Sequence, residues 1–176
     1  REELSEDDVV ERLIQWKLNA TKFRKILPHA LQRLENFSDF IPLTEFLFNE
    51  HPEITLENLI GKLDPAEAAK LLKLCEWELE KIKNWQRDEL FILFQDIAKT
   101  EEKKLKEILP LFFQAMSGKS ISLPLFDAMS ILGPDLVRVR LRKALDLLNS
   151  EGVGLSKKGL KVLEKEYRQK YGNRID

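Results

Sequence analysis

The sequence predicts an all-α protein, a helical bundle or cage of about ten helices in two subdomains. Three observations carry that expectation. Apolar residues recur at i, i+3 and i+4 along most of the 176 residues, while alternating strand-type runs are scarce. Helix start signals precede those stretches: Ser, Thr or Asp caps, or proline at a first turn. Seven glycines and seven prolines punctuate the chain, several of them where one periodic stretch ends and the next begins.

Each element has its own reason. Ser5, with Asp8 three residues on, forms a capping pattern ahead of EDDVVERLIQWKL, in which Val9, Leu13 and Trp16 make a stripe. A second helix is expected over 20–36, kinked or broken at Pro28. A third covers about 38–48, and NEHPE follows as a turn. Asp64-Pro65 opens the long stretch DPAEAAKLLKLCEWELEKIKN. Gln86 to Lys99 makes the next helix, and Thr100 is expected to cap EEKKLKEILPLFFQAM. Gly118 ends that helix, and Ser122 is expected to cap LPLFDAMSIL. Gly133-Pro134 opens a helix to about 150. A loop over Glu151 to Leu155 then leads to a last helix capped by Ser156.

Charge divides the chain. Residues 1–100 carry 14 Lys+Arg against 20 Asp+Glu, and residues 101–176 carry 15 against 10. The net charges of −6 and +5 suggest subdomains over 1–100 and 101–176, with a boundary near 99–103. A basic second half attracts anions; it is equally the pattern of an ordinary solvated surface.

Much chemistry is excluded. The string Gly118-Lys119-Ser120 resembles the end of a phosphate-binding loop, but that loop needs a glycine five residues earlier, where Phe113 stands. A helix C-cap and short turn is the simpler reading. His29 and His51 are the only histidines and Cys75 the only thiol, with no CxxC or HExxH spacing. His51 is expected in a solvent-facing turn and Cys75 in the core. No catalytic triad assembles from local spacing, and no apolar run reaches the roughly 18 residues of a membrane span. A lone cysteine and no signal peptide fit a cytoplasmic setting, and a start at Arg1 suggests an excised piece. A binding module is the expectation.

Residues 109–145 read LPLFFQAMSGKSISLPLFDAMSILGPDLVRVRLRKAL. This resembles the C-terminal anticodon-binding region of bacterial glutamyl-tRNA synthetase, a class I aminoacyl-tRNA synthetase. The matching features are a proline-led helix at Pro110, a glycine turn at Gly118 and the segment Ser122 to Phe126. Leu132-Gly133, Arg140-Leu141 and Ala144-Leu145 follow in the same order. Upstream, LQRLENFSDFIPLTEFLF is similar to the family's Gln-x-Arg helix and the aromatic-rich one after it. CEWELEKIKNWQRDEL resembles its Trp-containing helix pair. The resemblance spans nearly all of residues 5–150. The final helix, 156–172, runs past where many members stop.

The resemblance implies tRNA as partner, for glutamate and with glutamine's permitted, bound by a monomer through its anticodon. Ser122, Leu123, Pro124 and Leu125 fall where the family contacts anticodon bases. Ser122 either offers its hydroxyl to a base or caps the helix, and Phe126 is better read as core. Arg33 is a second reader, in the Gln-x-Arg element. Phe113 replaces an arginine that many members carry, and either stacks on a base or faces the core. Arg138, Arg142, Lys143 and Lys119 are candidate phosphate contacts, within a region (residues 138–170) holding ten basic and four acidic groups. Arg140 is expected to brace the fold. The parent enzyme uses ATP and Mg in a catalytic domain whose HIGH-like and KMSKS-like signatures are absent from these residues, so this chain should hold no cofactor and be inactive alone. The alternative is a helical adaptor for another protein, favoured by the lost arginine and the acidic first half.

Overall fold

The computed structural model describes residues 5–18, 20–49, 51–120 and 122–172, with the side chains of 13–18, 20 and 23 left aside. The described residues form ten α-helices and no strand, as the periodicity predicts. They are α1 (Glu6–Leu18), α2 (Ala20–Leu31), α3 (Phe40–Thr44), α4 (Leu56–Ile60), α5 (Pro65–Leu79), α6 (Arg87–Thr100), α7 (Leu105–Ser117), α8 (Leu125–Leu132), α9 (Pro134–Ser150) and α10 (Lys157–Tyr171). Short 3-10 turns, Phe37–Asp39 and Glu45–Leu47, flank α3.

The expected caps at Ser5, Asp64 and Ser156 form. Ser5 Oγ accepts from the Asp8 N–H at 3.1 Å while an Asp8 oxygen accepts from the Ser5 N–H at 3.1 Å, a reciprocal box. Asp64 accepts from the Ala66 N–H at 2.9 Å, and Ser156 from Gly159 at 3.0 Å. Of the α1 stripe, Val9 is exposed; the side chains of Leu13 and Trp16 lie outside the described residues.

Other boundaries move. Segment 38–48 is not one helix but a 3-10, α, 3-10 succession, and α2 stops at Leu31 with Pro28 inside it. Thr100 belongs to α6 and does not cap α7. Lys104 is the N-cap there, and the Glu107 carboxylate accepts its N–H at 2.9 Å. Pro110 therefore sits inside α7 rather than leading it. α4 was not expected; Thr55 caps it and Leu59 anchors it in the core.

One core runs from Ile26 to Tyr171, and Cys75 lies fully within it. Helices α5 and α9 pack together, as do α6 and α8, and α7 touches both α5 and α9. The core therefore draws on both sides of residue 100. Phe94 sits edge-on to Phe112 and Phe126, with ring centroids 4.6 and 5.3 Å away.

Candidate nucleic-acid interface

The interface is built around the turn between α7 and α8. Gly118 ends α7 at φ 67°, in the left-handed region that glycine tolerates, and its N–H reaches the Gln114 carbonyl at 2.8 Å. A Cβ at this position would lie 2.4 Å from the Glu53 carbonyl oxygen. The Gly118-Lys119-Ser120 string is thus a helix C-cap and turn pressed against residues 52–53, not a phosphate loop. With its amide oriented to satisfy both ends, Gln114 staples the turn. Its nitrogen reaches the Gly118 carbonyl at 3.2 Å, and its oxygen accepts from the Ser120 N–H at 3.1 Å.

Three cations fasten this turn to the first half of the chain. Arg33, just past the end of α2, donates from Nη1 to the Ser122 carbonyl. Lys119 donates to the Pro42 carbonyl and to Glu45 Oε1 at 2.6 Å. Arg140, 1% exposed, donates to the carbonyls of Met116, Phe46 and Asn49. Burial lowers the Arg140 pKa from 12.5 to about 10, which still leaves it charged near neutral pH. Its bracing role stands as expected.

The predicted readers divide. Ser122 is 3% exposed and its hydroxyl has no hydrogen-bond partner among the described residues. It does not cap α8; Pro124 occupies that position and no side chain caps the helix. The reason is that α8 begins three residues beyond Ser122, out of reach of a cap bond. Leu123 and Leu125 are core residues, 1% and 4% exposed, so surface contact in this segment falls to half-buried Pro124. Phe126 is core, as expected, and edge-on to Phe91 at 5.4 Å. Phe113 is half-buried against the core.

An anticodon binding domain family matches residues 8–145. The chain belongs to that family. Curated relatives include the glutamate–tRNA ligase of Saccharophagus degradans, 38% identical over 168 residues, covering 95% of this chain and 33% of the relative. That of Pseudomonas savastanoi pv. phaseolicola is 38% identical over 165 residues, 93% of this chain and 32% of the relative. That of Marinobacter nauticus is 35% identical over 168 residues, 95% and 33%. The chain spans about a third of the length of these relatives. Alignments of 168 residues run well into α10, so these relatives do not stop before the last helix.

In this anticodon-binding domain the expected phosphate contacts are unequal. Lys143 is exposed and without an ion pair among the described residues. Arg142 is 58% exposed but gives its Nε to Glu76 Oε1 at 2.7 Å. Arg138 lies 3.7 Å from Asp135, and its buried Nε has no partner among the described residues. Lys119 is spent on Glu45 and the Pro42 carbonyl. Sequence reasoning missed the Gln114 staple and Trp85, whose Nε1 donates to the Met129 carbonyl at 2.9 Å. A polar residue four before a capping glycine was the only sequence signal for the first; nothing local marked the second.

Proposed function

We propose that the chain is the tRNA anticodon-reading part of a glutamate–tRNA ligase. Its surface would be the corner made by the end of α2, the α7–α8 turn and the start of α8. The observation that carries this is the Arg33–Ser122 bond, which brings together the two segments the sequence singled out separately. A guanidinium has five N–H donors, and one bond to a carbonyl leaves others for a base edge or phosphate. The same Ser122 carries the buried hydroxyl that has no partner among the described residues. A base that displaced the loop slightly would supply the partner it lacks, and so regain the desolvation cost of an unmatched hydroxyl.

The whole ligase would attach glutamate to tRNA with ATP and Mg in a catalytic domain outside these residues, in the cytoplasm and as a monomer in this reading. Among the described residues no cluster of three His, Cys, Asp or Glu could hold a metal, and no helix is long and apolar enough to cross a membrane. Glutamate tRNA is the preferred substrate. Phe113, where an arginine would read a base, relaxes the preference toward glutamine tRNA. The adaptor alternative is weaker, because the family matched over residues 8–145 is an anticodon binding domain. Four acids of the first half, Glu45, Glu67, Glu76 and Glu78, are moreover taken up in ion pairs with a lysine or arginine.

The test is a gel-shift titration of the chain with glutamate, glutamine and unrelated tRNAs at two salt concentrations. Preferential, salt-sensitive binding to the first, or the first two, is expected; uniform weak binding would sink the reading. Ser122→Ala should then narrow the difference between tRNAs. An equal loss for every tRNA would remove Ser122 from the readers.

A further inference from the structure

The last helix lies beyond residues 8–145, where the family matches, and it carries a run of exposed cations that no described acid pairs with. Helix α10 faces inward through Leu160, Leu163, Tyr167 and Tyr171, of which Leu163 and Tyr171 are buried. On its opposite side stand Lys158, Lys161, Lys165 and Arg168, all exposed. At 100° per residue these four fall within an arc of about 80°, and they extend over about 15 Å of helix. That arc holds no acid. Glu164 and Glu166 flank it, and Glu166 leans toward Lys70 at 3.8 Å.

Four other cations of the second half show what a structural role looks like here. Lys103 pairs with Glu67, Lys119 with Glu45, Arg142 with Glu76 and Lys170 with Glu101. The four on the outer face of α10 pair with no acid among the described residues, although Glu164 stands four residues before Arg168. Like charges three and four apart on one helix face repel and weaken the helix. The stripe therefore costs the fold something, offset only at Arg168, which lies in the last turn where the helix dipole favours a cation.

We infer that the outer face of α10 is a second tRNA contact, laid along two or three backbone phosphates of the same tRNA outside the anticodon loop. Lysines serve phosphates as point charges, and their pull depends on releasing counterions rather than on base identity. The two surfaces are linked by α9, about 25 Å long. Arg140 in its first half holds the turn, and its end leads through the 151–156 loop into α10. The turn selects, and the stripe adds affinity without selection. This rests on the tRNA reading above.

Two variants of equal charge separate the claims. One replaces the stripe: Lys158→Gln, Lys161→Gln, Lys165→Gln and Arg168→Gln. The other replaces exposed lysines elsewhere: Lys62→Gln, Lys83→Gln, Lys99→Gln and Lys106→Gln. Binding of glutamate tRNA is titrated between 50 and 200 mM salt, with glutamine and unrelated tRNAs beside it. The stripe variant should bind roughly tenfold more weakly at low salt. Its log K against log salt slope should be shallower by about 2, with the order of the three tRNAs unchanged. The second variant should match the unsubstituted chain. A stripe variant with the original slope, or equal losses in both variants, would overturn the inference. Failure of the tRNA reading itself shows elsewhere, as no preference among tRNAs in the unsubstituted chain.

Discussion

Arg140 and Gly118 hold the reading turn by opposite means, one by what it donates and the other by what it lacks. Arg140 supplies donors to three carbonyls from positions far apart in sequence. Arg140→Met keeps the volume and removes every donor, leaving buried acceptors unmatched at about 1–3 kcal/mol each. A loss of about 3 kcal/mol in denaturant unfolding is expected, with Arg140→Lys recovering little, since an ammonium lacks the fork. A loss below 1 kcal/mol would mean that water replaces the guanidinium. Gly118→Ala meets two obstacles at once, the positive φ and the Glu53 carbonyl. It should cost about 2 kcal/mol or more and weaken tRNA binding with it. Ser122→Ala is the contrast. It removes a buried hydroxyl that bonds to nothing among the described residues, so stability should hold or rise slightly in the same melts. A substitution that spares the fold but blurs anticodon preference is the signature of a reader.

At the scale of elements, local chemistry was legible and tertiary demand was not. The box at Ser5, the Ser156 cap and the Asp64-Pro65 start lie within four residues of what they cap, so sequence spacing suffices. The fracture of 37–47 and the five-residue α4 come from packing, for Phe46, Leu47 and Leu59 are buried by helices distant in sequence. At the site, Arg33 and the 122–125 segment were visible through resemblance. Their meeting was not, because 89 residues separate Arg33 from Ser122. The attachment of α10 was equally hidden. Tyr171 donates to Glu101 Oε1 at 3.1 Å, and Tyr167 to Glu78 Oε1 at 2.8 Å. Burial pushes the Glu101 carboxyl up, but Lys70 and Lys170 outweigh it and hold the carboxyl below the ordinary 4.5. Glu76 behaves likewise, with Arg142 and Lys73 overcoming burial. The unfolded chain thus takes up protons first as pH falls. This stability is fully present above about pH 4.5 and drains away as pH drops through the lowered folded values. Glu101→Gln should flatten that acid limb in unfolding curves between pH 3 and 6. An unchanged limb would place the acid sensitivity elsewhere.

Across the whole molecule the opposite charges of the two halves have two uses, and salt separates them. Acids of residues 1–100 meet cations of residues 101–176 at Glu45–Lys119, Glu67–Lys103 and Glu76–Arg142. These pairs are partly exposed, and such pairs contribute about 0–1 kcal/mol each at low salt. The core that joins the halves is apolar and indifferent to ionic strength. Raising salt from 50 to 200 mM should therefore shift the folding free energy by less than about 1 kcal/mol. Contact with nucleic acid is different, since each neutralised phosphate adds about 0.7–0.9 to the slope of log K against log salt. Four such contacts, shared between the turn and α10, would cost about two orders of magnitude in tRNA affinity over the same interval. Parallel unfolding and binding titrations on one preparation check the contrast. A fold that loosens in step with binding would mean that the cations on α9 and α10 hold the molecule together. A fold that stands while binding collapses would leave them to the phosphate backbone.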